Sequence, residues 1–165
     1  MIKKIVLAFN FDGVLCDSQN DKFQDDNINR LREHIGNNLK KISPILDSIA
    51  TMITLKSCGV KIGIISSNSE NNIKKFLSYN QFPDIDFLYG DIDFFEKERY
   101  LAKLRDVYDG YQIYYVGDEV RDVFAAKKAG INSIAFTGGM GSLNDLLGSD
   151  PDMLINKLKY IPSLL

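Results

Sequence analysis

Residues 5–15 decide the fold, and they read Ile-Val-Leu-Ala-Phe-Asn-Phe-Asp-Gly-Val-Leu. The apolar residues at the start of this stretch predict a short strand that is buried on both faces. The strand ends at two polar residues, Asn10 and Asp12, which are followed by Gly13. Open parallel sheets place their ligands just beyond the carboxyl ends of the strands. The stretch therefore predicts a strand that delivers Asn10 and Asp12 to a binding site at the sheet edge.

The rest of the chain alternates short apolar runs with amphipathic segments. This alternation predicts an α/β fold of three layers, in which a Rossmann-like parallel sheet is covered by helices on both faces. The predicted strands are 4–9, 60–66, 85–89, 112–116, 133–136 and 153–155, and the predicted helices are 42–57, 71–78, 97–107, 120–129 and 143–147.

Residues 17–41 interrupt the alternation. They begin with acidic and polar residues and continue with apolar residues at helical spacing, namely Ile28, Leu31, Ile35 and Leu39. We expect one domain over residues 1–165, with residues 17–41 as a small cap-like insertion after the first strand. Two interpretations of the insertion stay open, a lid that closes over the sheet edge and an additional surface helix.

The composition is that of an ordinary globular domain. Of 165 residues, 45% are hydrophobic and 25% are charged, and the net charge of -2 argues against nucleic acid or an anionic membrane as the partner. We expect no membrane span. The two cysteines, Cys16 and Cys58, make no disulfide framework or zinc motif, so a cytoplasmic protein with reduced thiols is expected. The oligomeric state cannot be read from the sequence.

Three polar clusters follow predicted strands and should therefore meet at one edge of the sheet. They are the pair after the first strand, residues 66–68 and residues 117–122. Asp12 and Asp118 offer the hard oxygen ligands that suit Mg²⁺. Asp122 lies one helical turn beyond Asp118, so both carboxylates can share one face. Together these groups could hold a phosphoryl group and a cation.

Each cluster also has a simpler interpretation. Ser67 with Glu70 fits a capping box, so Ser67 could serve only as the N-cap of the next helix. Asp118 and Asp122 could only favour the N-terminal end of their helix through its dipole. Their joint placement at one edge favours the functional interpretation.

Four stretches, taken in order, resemble the four motifs of the haloacid dehalogenase-like hydrolase superfamily and most of all its phosphatases. They are residues 10–15, 64–68, 95–101 and 117–122. The tail, residues 150–156, resembles the last strand of phosphoglycolate-phosphatase-like members. The resemblance covers nearly the whole chain and implies that the sheet has the strand order 5-4-1-2-3.

The resemblance further implies a Mg²⁺-dependent phosphatase that acts on a small phosphorylated metabolite through an aspartyl-phosphate. Position 10 would be the nucleophile, and Asp12 would be the general acid and base. Ser67, Asn68 and Lys97 would bind and stabilise the phosphoryl group, with Lys103 as an alternative to Lys97. The implied metal ligands are Asn10, Asp12, Asp118 and Asp122, the last either as a ligand or as a residue that holds the bound water.

Asn10 departs from the family pattern, which has aspartate there. A carboxamide is neutral and a poor nucleophile toward phosphorus, so we expect little or no turnover from the chain as written. Two explanations stay open. Asn10 could be an inactivating Asp→Asn change in a catalytic parent, or the protein could be a natural pseudoenzyme that binds a phosphoryl group without hydrolysing it. The match at every other position favours the first explanation.

Overall fold

A computed structural model describes residues 4–18 and 26–165 of the chain. Within these ranges the chain forms six strands and seven helices, with a short 3-10 turn before the last helix. The strands are β1 (Ile5–Phe9), β2 (Lys61–Ile65), β3 (Phe87–Tyr89), β4 (Gln112–Gly117), β5 (Asn132–Phe136) and β6 (Met153–Ile155). The helices are α1 (Ile28–Asn38), α2 (Ser48–Ser57), α3 (Glu70–Tyr79), α4 (Lys97–Val107), α5 (Val120–Ala129), α6 (Leu143–Gly148) and α7 (Ile161–Leu164).

The strands form one all-parallel sheet in the order β3-β2-β1-β4-β5-β6. This confirms the expected order 5-4-1-2-3 and adds the sixth strand beside the fifth. Phe9, at the end of β1, pairs with Ile64 of β2 and Val116 of β4. The three central strands therefore end at the same level, and the residues that follow them lie together.

Alternate residues of β1 pack on opposite faces of the sheet. Leu7 and Phe9 lie in the cluster that contains residues of α2 and α3, whereas Val6 and Ala8 lie in the cluster that contains residues of α4 and α5. All four side chains are fully buried. The α/β fold with helices on both faces is thereby confirmed, because a strand covered on both sides must be apolar at every position.

Two element boundaries differ from the prediction by more than one residue. The helix expected over residues 42–57 begins at Ser48, because Pro44 pairs with Cys16 in an isolated bridge and Asp47 has a left-handed backbone conformation with a φ of +67°. The third strand begins at Phe87 and not at residue 85. Just before it, the Asp86 N–H donates to the Ile62 carbonyl at 2.6 Å, but the Ile62 N–H donates to the Asp86 carboxylate and not to a backbone carbonyl.

The described part of the insertion is packed on the domain. Ile35 of α1 and the adjoining Leu39 are buried in the same cluster as β1. The side chain of Asn72, on α3, donates a hydrogen bond of 2.8 Å to the Arg32 carbonyl. Residues 19–25 of the predicted cap lie outside the described residues.

The two cysteines form no disulfide, and Cys16 is buried whereas Cys58 is exposed. Across residues 4–18 and 26–165, no helix has both the length and the apolar composition needed to cross a membrane.

Candidate active site

A tight turn after β1 positions the first pair of polar residues. The Asn10 backbone N–H donates to the Val116 carbonyl at 2.8 Å and so extends the ladder between β1 and β4. The chain then turns at Gly13, which has a φ of +77°. A methyl group at Gly13 would lie 2.1 Å from the Asp118 carboxylate, so both the backbone conformation and the space require glycine there.

The Asn10 side chain joins the first cluster to the cluster after β4. Its amide nitrogen, Nδ2, donates to the Asp12 carbonyl at 3.0 Å and to Asp118 Oδ1 at 3.1 Å. Asn10 is buried. The structure therefore brings together Asn10, Asp12 and Asp118, as expected from their places at the ends of neighbouring strands.

Asp118 is fully buried, and a glycine-rich loop after β5 closes around it. The Met140 N–H donates to Asp118 Oδ2 at 2.8 Å, and the Gly141 N–H donates to the Asp118 carbonyl at 2.9 Å. Burial, followed by the charge of Asp122, raises the pKa of Asp118 to about 7. Apart from its position at the carboxyl end of a strand, no feature of residues 138–141 indicated that this loop belongs to the site.

Asp122 forms a buried ion pair with Lys97. Asp122 Oδ1 lies 2.6 Å from Lys97 Nζ, and both side chains are buried. Its other oxygen, Oδ2, accepts hydrogen bonds from the backbone N–H groups of Asp118 and Glu119, at 3.1 and 3.2 Å. Both oxygens of Asp122 thus accept hydrogen bonds from groups of the chain. This favours a role in which Asp122 positions neighbouring groups of the site over a role as a metal ligand. Lys103, the alternative lysine, instead lies over the Tyr89 ring, 5.2 Å from its centroid.

Asp12 is held by Asn68 from the end of β2. Asn68 Nδ2 lies 3.2 and 3.1 Å from the two carboxylate oxygens of Asp12. Asn68 Oδ1 in turn accepts hydrogen bonds from the Ser69 N–H at 2.8 Å and from Asn72 Nδ2 at 3.0 Å. Burial raises the pKa of Asp12, against opposing contributions from Asn68, Ser18 and the charge of Lys97. The amide of Asn68, which we expected to bind phosphate, orients Asp12 in this structure.

Ser67 is buried in the loop between β2 and α3, and it is not the helix cap. The N-cap of α3 is Ser69, whose hydroxyl accepts a hydrogen bond from the Asn72 N–H, so the interpretation of Ser67 as the N-cap is wrong. The Ser67 carbonyl accepts a hydrogen bond of 2.7 Å from Arg32 Nε, and Arg32 also donates to the Ile92 carbonyl at 3.3 Å. Arg32 thus connects the insertion to the site, a link that residue spacing cannot predict.

Whether the oxygen atoms at this edge can bind a cation depends on the residue at position 10. Carboxylate oxygens of Asp118, Glu119 and Asp122 lie within 4.8 Å of one another, but Asp122 is paired with Lys97, and Glu119 accepts a hydrogen bond from Arg121. The Asp12 carbonyl and Asp118 Oδ1 converge on one point, where the amide nitrogen of Asn10 lies. A carboxylate at position 10 would complete a set of oxygen ligands suited to Mg²⁺, whereas the NH₂ group that Asn10 directs at this point would not.

A comparison with known families identifies the chain. Residues 12–136 match the model of the haloacid dehalogenase-like hydrolases. The chain belongs to this family. The matched region begins after Asn10, so membership of the haloacid dehalogenase-like hydrolases leaves open how the residue at position 10 acts.

Individual relatives support the same assignment. The chain is 30% identical over 132 residues to a phosphoglycolate phosphatase from Synechococcus elongatus, a match that covers 78% of this chain and 62% of the relative, so the chain spans less than two thirds of that protein. A haloacid dehalogenase-like hydrolase from Streptococcus pneumoniae has a TM-score of 0.75 at 15% identity and 99% coverage of both chains. A structure described as a predicted phosphoglycolate phosphatase from Haemophilus somnus has a TM-score of 0.79 at 15% identity, with 99% of this chain and 98% of that chain covered. The two structures show that the fold is shared.

Proposed function

We propose that this site is that of a Mg²⁺-dependent phosphomonoesterase for a small phosphorylated metabolite, with Asn10 in the place of the nucleophile. The observation that carries the proposal is the direct contact of Asn10 with Asp118, two residues from distant strands that meet at the sheet edge. Family membership supports hydrolysis. Because the Synechococcus relative is a phosphoglycolate phosphatase, phosphoglycolate is the first substrate to test.

The proposed reaction needs a carboxylate at position 10. An aspartate there would attack phosphorus, the bond from phosphorus to the substrate oxygen would break, and an aspartyl-phosphate would form. Asp12 would give its proton to the leaving oxygen and then take a proton from the water that hydrolyses the intermediate. The amide of Asn10 is a poor nucleophile, so the chain as written should turn over little or no substrate.

The remaining residues would manage the charge of the phosphoryl group. Ser67, after β2, and Lys97, at the start of α4, would bind its oxygens, and Asn68 would keep the Asp12 carboxylate oriented. Asp122 holds the Lys97 ammonium in place through a 2.6 Å contact. With an oxygen at position 10, that residue, the Asp12 carbonyl and Asp118 would hold Mg²⁺, which supplies positive charge that reduces the repulsion of a phosphate dianion.

The insertion is proposed to act as a small cap over this edge. Arg32, on α1, donates hydrogen bonds to the carbonyls of Ser67 and Ile92, so α1 is attached to two loops of the site. We also propose a cytoplasmic protein, because its two cysteines are free thiols.

The test compares the chain as written with its Asn10→Asp variant on p-nitrophenyl phosphate and phosphoglycolate, with millimolar Mg²⁺. We expect Asn10→Asp to raise kcat by at least about 10²-fold, since it restores the nucleophile. The matched control is the double variant Asn10→Asp/Asp12→Asn, which carries the nucleophile without the acid and should lose most of the gain. If neither Asn10→Asp nor the chain as written hydrolyses either substrate, the phosphatase proposal fails.

The alternative function is that of a pseudoenzyme that binds a phosphoryl group without hydrolysis. The observation that favours it is that the amide of Asn10 satisfies both oxygens that a cation would otherwise bind. This alternative predicts that phosphoglycolate binds in a calorimetric titration while Asn10→Asp remains inert. Ready hydrolysis by Asn10→Asp would instead rule out this alternative.

A further inference from the structure

The orientation of the Asn10 amide is determined by its neighbours. Its Nδ2 atom lies 3.0 Å from the Asp12 carbonyl oxygen and 3.1 Å from Asp118 Oδ1. A backbone carbonyl can only accept a hydrogen bond, so the group that faces it must be the NH₂ end of the amide. Both N–H bonds of Asn10 are therefore directed at the two oxygens.

A cation and this amide nitrogen cannot occupy the point between the two oxygens together. Mg²⁺ binds oxygen at about 2.0–2.1 Å, so a cation held by both oxygens would take the space of the NH₂ group. Rotation of the amide would place its oxygen there and would leave three acceptors facing one another unless a cation came between them. The two oxygens can therefore bind either the NH₂ group of Asn10 or a cation, but not both.

The Asn10 amide provides one of the hydrogen bonds that stabilise the buried Asp118 carboxylate. Asp118 is fully buried, and its other carboxylate oxygen accepts a hydrogen bond from the Met140 N–H. The nearby buried ammonium of Lys97 is engaged by Asp122. Asn10 and Met140 are the side-chain and backbone donors that the structure shows for the Asp118 carboxylate within residues 4–18 and 26–165.

We propose that the Asn10 amide replaces a divalent cation in this chain by bridging the Asp12 carbonyl and the Asp118 carboxylate. With Asn10 present, the segments that follow β1 and β4 then stay connected at this edge of the sheet without a metal ion. Asn10→Asp removes the bridge, adds an oxygen ligand and creates a requirement for the cation. The inference rests on the metal site of the proposed function, but its readout is metal binding and not turnover, so the two can fail separately.

The experiment measures thermal unfolding in EDTA and in millimolar MgCl₂, together with calorimetric titration of MgCl₂. The proteins are the chain as written, Asn10→Asp and a charge control, Asn132→Asp. Asn132 is the first residue of β5, and its side-chain amide donates to the Ile113 carbonyl, so the control adds the same charge at the opposite end of the sheet.

We expect the Tm values of the chain as written and of Asn132→Asp to be unchanged by Mg²⁺. Asn10→Asp should have a lower Tm in EDTA, recover it in Mg²⁺, and bind Mg²⁺ at least about tenfold more tightly than the chain as written, because ligand charge raises cation affinity. Equal stabilisation of the chain as written and Asn10→Asp by Mg²⁺ would overturn the proposal, as would a complete lack of response in Asn10→Asp.

A second variant covers the case in which Asn10→Asp does not fold in EDTA. Asn10→Ala removes the amide without adding charge, and it leaves the Asp12 carbonyl and Asp118 without their shared donor. We expect Mg²⁺ to raise the Tm of Asn10→Ala and to leave the Tm of the chain as written unchanged. Identical behaviour of the two proteins would contradict the replacement of a cation by Asn10.

Discussion

Asp118, directly after β4, and Asp122, in the first turn of α5, are both buried, yet their surroundings differ in charge. Asp122 contacts the Lys97 ammonium and two backbone N–H groups. The Asp118 carboxylate instead accepts hydrogen bonds from two neutral donors, Asn10 Nδ2 and the Met140 N–H. One carboxylate therefore has its counter-ion within the chain, whereas the donors that reach the other from residues 4–18 and 26–165 are neutral.

The largest effect is expected where the built-in counter-ion is removed. Lys97→Met leaves the Asp122 carboxylate buried without its cation, and loss of one member of such a pair costs about 3–5 kcal/mol of the free energy of unfolding. Urea unfolding at neutral pH measures this loss. The double variant Lys97→Met/Asp122→Asn removes both charges and should recover more than half of it. If the double variant is as unstable as Lys97→Met, the ion pair is not what distinguishes Asp122.

A change of opposite sign is expected at Asp118. Asp118→Asn removes a buried charge that lacks a cation and gives up one hydrogen bond, so in EDTA the free energy of unfolding should stay level or rise by up to about 1 kcal/mol. Urea unfolding of Asp118→Asn beside Asp122→Asn, in the same buffer, measures how differently the two carboxylates affect stability. Equal destabilisation by the two substitutions would show that the two carboxylates are neutralised alike.

The smallest effect is expected for a carboxylate and lysine near the surface. Burial raises the pKa of Asp86, but the Ile62 N–H and the charges of Lys61 and Lys56 outweigh it and hold the pKa below its usual value. A lowered pKa in the folded state contributes stability at neutral pH that is lost as the pH falls through that pKa. After allowance for screening by solvent, Asp86→Asn should cost about 0.5 kcal/mol at neutral pH.

Unfolding curves of Asp86→Asn and the parent at neutral pH and in acid test this dependence. The difference between them should vanish once the carboxylate of the parent is protonated. A difference of several kcal/mol would mean that this partly exposed pair stabilises the fold as much as the buried pair of Lys97 and Asp122, contrary to expectation.

Much of the fold could be predicted, because it depends on patterns within short segments. The apolar residues of β1 and the spacing of α4 and α5 determine those elements locally, and the structure gives α4 and α5 the predicted bounds. The start of α2 could not be predicted. It depends on the pairing of Pro44 with Cys16, a contact between segments that are distant in the chain.

The candidate site could be predicted at the level of strand ends and not at the level of side-chain partners. Parallel strands that end at one level bring Asn10, Asp12 and Asp118 together, whatever the loops do. The choice between Lys97 and Lys103 needs the orientation of α4. Six residues correspond to about 240° around a helix, so only one of the two lysines faces the site. The assignment of Asn68 to Asp12 likewise depends on a loop conformation.

Gly13 has a consequence for how such a protein can change over generations. A single added carbon at this position would meet the Asp118 carboxylate at 2.1 Å, so the distance between the first and fourth strand ends tolerates no methyl group. The amide at position 10, by contrast, has nearly the size and shape of the acid it resembles. A single substitution at position 10 can therefore remove catalytic turnover and leave the shape of the pocket unchanged, whereas a substitution at Gly13 would alter that shape.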